Sequence, residues 1–224
     1  MPEPAERHAP HTTETTRLEA FSDGVFAIAI TLLILDVKRP TADEVARAGG
    51  LAAALGARWP SLFAYALSFA TIGIMWINHH AMFQYIRRSD RTLMLLHVVF
   101  LGLISFVPFP TALMAEMLSE PAARDATLLY GALFTALALT YNAIWWYGVG
   151  DPHLADPHAP AEGLLRISRR YRWGPALYLG ATLLVLASVK AALVAFVLIA
   201  GVFALPDRRR VPVPRRRVWR AAIR

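Results

Sequence analysis

Cysteine is absent from all 224 residues, which excludes a disulfide framework, a thiolate metal site and a cysteine nucleophile. Charge is scarce as well: 17% of the chain is Asp, Glu, Lys or Arg against 56% hydrophobic residues. A soluble domain of this size carries more charge and less apolar surface. Regularly spaced arginines are missing from every long apolar run, which argues against a voltage sensor. Acidic residues are fewer than basic ones, 16 against 23, giving a net charge of +7. That excess fits nucleic acid, anionic lipid or membrane topology, and its placement decides among them. What the chain does have is a series of long apolar runs, and it reads as a membrane protein.

Residues 1–15 are rich in proline and glutamate without an apolar period, and read as a flexible N-terminal tail. The tail lacks a basic signal-like segment and no small-residue cleavage site follows the first apolar run, so that run is expected to be retained. Thr16 followed by Glu19 fits a capping box and predicts a helix running to about Val37, ahead of Pro40. Residues 41–58, alanine-rich with Gly49, Gly50 and Gly56, read as a loop with one short amphipathic helix. Further spans are expected over 60–85, 92–117, 127–147, 173–189 and 191–205. Pro108 and Pro110 should kink the third, and Lys190 should mark a tight hairpin between the last two. A six-span domain over 16–206 is thus followed by a basic tail, 207–224, with eight arginines.

The fold class is therefore an all-α integral membrane protein, each span near the ~20 residues that cross ~30 Å of hydrocarbon. Six spans put both ends on one side. By these boundaries 17 of the 23 basic residues lie on that side, and the positive-inside rule assigns both termini to the cytoplasm. Arginines that alternate by loop speak against a nucleic-acid partner. The C-terminal ones are assigned to topology or to anionic lipid headgroups.

The unusual span is the first, from Arg17 to Asp36, because a carboxylate, Asp23, sits in apolar sequence and needs a polar partner. In the six-span orientation Asp23, Asn78, His79, His80 and His97 fall at similar depth. A carboxylate beside imidazole and amide groups would lock three helices together. Structural glue is the plain reading, and proton sensing by His79, His80 or His97 the sharper one. Adjacent histidines point about 100° apart on a helix, so no metal site is assigned. On the same wheel Gly24, Ile28, Thr31, Leu32 and Leu35 share an arc of roughly 100°, with Asp23 about 140° from Ile28. Arg17 lies about 120° from Asp23, so a bridge from Arg17 to a neighbouring helix is expected. Gly148-Val149-Gly150-Asp151 resembles an element of intramembrane aspartyl proteases. Such enzymes need a second membrane aspartate, and the matching Tyr-Asp is absent, so no enzyme is assigned.

Arg17 with Phe21-Ser22-Asp23, continuing GVFAIAITLLILD, resembles the signature first helix of the transmembrane protein 175 family, potassium channels of prokaryotes and of animal endosomes and lysosomes. WINHHAMFQYIRRSDR and FVPFPTALM are similar to the same family, so the resemblance spans about Arg17 to Leu118. The last three helices fit by hydropathy only. The resemblance implies first helices surrounding a permeation path. Animal members carry two six-helix repeats per chain, so this chain would need four copies, a homotetramer, in a prokaryotic plasma membrane. The family's constriction positions fall on Ile28, Leu32 and Leu35, and its selectivity threonine on Thr31. Arg17, Ser22, Asp23, Asn78, His79, His80 and His97 would form a structural polar network at the inner ends of the helices. No TVGYG filter is present, so selectivity would come from a ring of side chains, and an aliphatic ring would act as a dewetting constriction. No cofactor is implied beyond permeant potassium ions. The alternative reading is a proton-coupled secondary transporter using the Asp/His cluster.

Overall fold

Local signals set the helix ends. A computed structural model of the chain describes residues 13–205; the predicted basic tail and residues 1–12 of the N-terminal tail lie outside the described residues. α1 (Thr16–Leu32) runs into one tighter turn, Leu33–Asp36. Its start departs from the predicted box: Thr15 occupies the cap, and its hydroxyl donates to the Glu19 carboxylate at 2.7 Å. The stretch read as a loop with one helix folds as two, α2 (Ala42–Ala48) and α3 (Leu51–Ala57). The reason is a second box, in which Thr41 accepts from the Glu44 amide and the Glu44 carboxylate accepts from the Thr41 amide, satisfying two otherwise unpaired donors.

α4 (Trp59–Met82) has proline in its first turn, where a missing N–H costs nothing. α5 (Arg91–Phe106) is capped by Asp90, which accepts from the Leu93 amide at 2.8 Å. The double-proline stretch breaks the third span at Val107, dividing it into α5 and α6 (Pro108–Met117). α7 (Ala123–Gly150) is the longest helix, and α8 (Ala161–Arg172) is amphipathic and basic. α9 (Gly174–Leu184) and α10 (Val189–Ala204) form the last hairpin. Its turn lies at 185–187, not at Lys190. Ser188 caps α10 by accepting from the Ala191 amide at 3.3 Å, while Lys190 stays in the first turn, where a long side chain reaches outward to water.

Among the described residues four stretches are long and apolar enough to cross a membrane: Thr16–Asp36, Trp59–Met82, Arg91–Met117 and Ala123–Gly150. α10 is apolar but has only 16 residues, and α9 has 11. Lipid tails are as apolar as leucine, so helices inside a bilayer associate through close packing, small residues and hydrogen bonds. Gly131 on α7 shows this. A Cβ there would stand 2.5 Å from Thr182 Oγ1 of α9 and 2.9 Å from the Phe196 ring of α10. Gly131→Val therefore has to push two helices apart; the expected loss is about 1–3 kcal/mol, the range for overpacking, read as a lower midpoint for heat-induced loss of the detergent-soluble form. Ser68 on α4 lies 2.8 Å from Thr111 of α6 and donates to Tyr130 of α7 at 3.2 Å. That contact fixes α6 beyond its proline break.

One end of the bundle is knotted by chain segments. β1 (Thr13–Glu14) pairs antiparallel with β2 (Arg88–Ser89), and the Thr15 amide donates to the Arg87 carbonyl. Arg87 and Arg88 amides donate to Leu154, and the Asp156 amide to Tyr85. The His158 amide and the Arg87 guanidinium hold the Asp156 carboxyl below the usual carboxylate range. A depressed carboxyl stabilises above its unfolded value and loses that contribution as pH falls through the folded one. Acidification is thus expected to loosen this knot, seen as faster amide exchange at Asp156 and Arg87 after the intrinsic pH dependence is removed.

Candidate functional site

The first helix divides sharply into two faces. Ser22, Phe26, Ala29 and Leu33 recur at helical spacing and are buried, the first three on the helix that packs against α4 and α5 and Leu33 in the turn that packs against α4 and α6. On the opposite side Ile28 is 61% exposed, Leu32 41% and Leu35 73%. Gly24 and Thr31 lie on that exposed side too. This is the arc the helical wheel grouped, and no other described part of the chain covers it. The Thr31 hydroxyl sits 3.0 Å from the Ala27 carbonyl and 2.9 Å from that of Ile28. Its proton is spent on the helix, so the oxygen lone pairs are what it presents to the exposed side.

The polar residues do not form one cluster within the protomer. Asp23 is exposed and accepts from the Trp76 indole N–H at 2.9 Å. The Trp76 ring stacks on His80, itself exposed, with centroids 6.5 Å apart. Ser22 is buried and returns its hydroxyl to the Leu18 carbonyl at 2.8 Å. Arg17 is exposed and makes no ion pair among the described residues. Asn78 faces away from α1: its amide donates to Ile74, and its backbone carbonyl accepts from the Tyr171 hydroxyl at 3.1 Å.

His79 and His97 form a separate pair. They are 1% and 0% exposed, with ring centroids 5.5 Å apart. Phe26, Phe83 and Phe100 surround the His79 ring at 5.4, 5.0 and 5.8 Å. His97 Nδ1 lies 2.9 Å from the Leu93 carbonyl, which fixes the proton on that nitrogen and makes Nε2 the acceptor. Neither His79 Nε2 nor His97 Nε2 has a partner among the described residues.

His79 and His80 thus point to different places, one into the core and one to the edge, as 100° per residue requires. Trp76 was the partner the sequence reading missed. It stands one turn before His79 and His80, and an indole N–H is a donor only, but a tryptophan in apolar sequence reads first as an interfacial anchor. Among the described residues no group of three or more His, Asp or Glu could hold a metal ion.

Long apolar helices, a buried aromatic core and an uncovered aliphatic face bearing one hydroxyl define a multi-pass integral membrane protein. The sequence model of the family described as endosomal/lysosomal potassium channel TMEM175 matches residues 17–108. A potassium channel of Streptomyces collinus is 52% identical over 157 residues, covering 69% of this chain and 75% of that one. A potassium channel of Chamaesiphon minutus is 44% identical over 181 residues, 81% of this chain and 89% of its own. The crystal structure of a lysosomal potassium-selective channel TMEM175 homologue from Chamaesiphon minutus aligns with TM-score 0.77 and 42% identity, over 87% of this chain and 98% of that one. The chain belongs to the TMEM175 family, a family of ion channels and not of enzymes.

Proposed function

We propose that this protein conducts potassium ions passively through a pore made by four copies of α1. The observation that carries the reading is the uncovered face of α1, an aliphatic stripe with one hydroxyl on a helix whose opposite side, Ser22, Phe26 and Ala29, is packed. The printed descriptions of its prokaryotic relatives as potassium channels support it. Ile28, Leu32 and Leu35 form the constriction, narrow enough to shed water when closed. Four Thr31 hydroxyls turn lone pairs toward a partly dehydrated cation. Asp23, Trp76 and His80, at the rim of one protomer, stand where a neighbouring copy would meet them, and Arg17 is free to reach across.

In this reading α9 and α10 also traverse the bilayer, giving six crossings with both ends in the cytoplasm of a prokaryote. The start of α1, the 83–90 turn, the 151–160 loop and the end of α10 all lie at one end of the bundle, which supports an even number of crossings. The asymmetry of basic residues supports the side. The deciding measurement is ion flux from purified protein in liposomes under a potassium gradient with no proton gradient. Flux under those conditions is expected. A second reading, proton-coupled secondary transport, rests on the unpartnered imidazole nitrogens of His79 and His97, and predicts transport only when protons are supplied.

A further inference from the structure

On the side of α4 turned away from α1, a half-open cleft lies between α4, α7, α8, α9 and α10, with about 460 Å³ of atom-free space, part of it open solvent outside the walls. Ile74, Met75 and Phe203 make it greasy. Three of its polar side chains bond back to the protein: Asn78 donates to the Ile74 carbonyl at 2.9 Å, Asn142 to the Ala138 carbonyl at 3.0 Å and Tyr171 to the Asn78 carbonyl at 3.1 Å. A hydrocarbon chain finds a fitting wall.

The mouth is cationic. Arg170 of α8 carries its guanidinium 5.4 Å from the centre of the Phe203 ring, which is itself part of the cavity wall. One of its N–H groups donates to the Val202 carbonyl at 2.8 Å, closing an end of α10 that would otherwise leave that carbonyl open. A guanidinium has five such donors in a planar fork suited to phosphate, and Arg170 makes no ion pair with a carboxylate among the described residues. Arg166, Arg169 and Arg172 lie exposed on the same short helix and add to the local positive field. Gly174 keeps the entrance open: a Cβ there would sit 3.6 Å from the Phe203 ring and 3.8 Å from the Asn142 amide, so alanine fits and anything larger plugs the mouth.

We infer that this cavity is a binding site for one membrane phospholipid with an anionic headgroup, its phosphate held by Arg170 and one acyl chain lying between α4 and α10. Charge at the mouth and hydrocarbon behind it match the two halves of that molecule and of no soluble anion. The site is separated from the exposed face of α1 by the thickness of α4, so it stands whether or not that face lines a pore.

The test is native mass spectrometry of the full chain in detergent, titrated in parallel with dioleoyl phosphatidylglycerol and dioleoyl phosphatidylcholine. The unmodified protein is expected to retain phosphatidylglycerol about tenfold more tightly, the scale of one charge-assisted contact. Arg170→Gln should weaken phosphatidylglycerol more than phosphatidylcholine, whose phosphate is offset by its own cation, and so remove most of that preference, whereas Arg169→Gln should alter it by less than about twofold. Gly174→Leu should weaken both lipids and Gly174→Ala neither. Ala200→Leu, which fills the cavity from α10, gives the same reading should Gly174→Leu fail to fold. Equal losses from Arg169→Gln and Arg170→Gln would mean diffuse surface charge and overturn the site. Undiminished phosphatidylglycerol in the plugged variants, or displacement by glycerol 3-phosphate as effective as by whole lipid, would overturn it too.

Discussion

Ile28→Asn is expected to raise passive potassium flux by an order of magnitude or more. If four copies of α1 face one axis, the substitution replaces a ring of four branched hydrocarbons with four amides that can coordinate water. A hydrophobic constriction blocks ions because they cannot carry their hydration through it. Each ~1.4 kcal/mol removed from such a barrier gives about a tenfold higher rate. Leu198→Asn is the matched control. Leu198 of α10 is 62% exposed, as open as Ile28 in the isolated protomer, yet lies on a different face of the bundle and should leave flux unchanged. Flux measured in liposomes under a potassium gradient reads both. Equal gains from the two substitutions would point to general leakiness of a damaged protein, and no gain from Ile28→Asn would remove Ile28 from the constriction.

The second large effect concerns His79. Its ring fills a site bounded by Phe26, Phe83, Phe100 and His97. His79→Ala leaves that volume empty, and cavities of this size in well-packed cores cost about 3 kcal/mol. His79→Leu restores most of the volume. Because His79 Nε2 has no partner among the described residues, little polar interaction is lost with the imidazole, and the leucine variant should melt near the parent protein. The two are compared by heating in detergent and following the soluble fraction. If leucine proves as damaging as alanine, the imidazole has a polar role that packing does not supply. The same leucine variant also separates the functional readings: passive conduction should survive it, whereas a transporter that loads protons on this pair should stop.

Residues whose physics is local announced themselves in the sequence. Pro108 and Pro110 lack amide donors wherever they stand, and the third span breaks beside them at Val107. The aliphatic arc of α1 followed from 100° per residue, and the same positions are left uncovered. What depended on three-dimensional neighbours was less legible. Histidines at equal depth looked like company for Asp23, but depth along a helix says nothing of direction around it, and the Phe26 face turned His79 inward while Trp76 took the carboxylate. The last hairpin was misplaced by three residues because a lysine in apolar sequence was taken for a turn, although Ser188, with its capping hydroxyl, stood two residues earlier. The cavity walls come from five helices spread over the chain, and no local pattern marks them. The 41–58 stretch hid a second helix because alanine and glycine together give opposite propensities.

The knot of backbone hydrogen bonds at one end of the bundle has a mechanical corollary. The start of α1 is tied there through Thr13–Glu14 and Thr15, whereas past Leu33 the opposite end is fastened near the surface by the Lys38–Glu116 ion pair, whose side chains are 71% and 55% exposed. Surface pairs of this kind contribute roughly 0–1 kcal/mol. α1 is therefore a lever with a hydrogen-bonded pivot, while the turn at its other end is held by packing on α4 and α6 and by this weak pair, and Ile28 to Leu35 ride toward that end. If four copies of α1 line a pore, a small tilt about the pivot displaces those side chains most and changes its bore with the least motion at the knotted end.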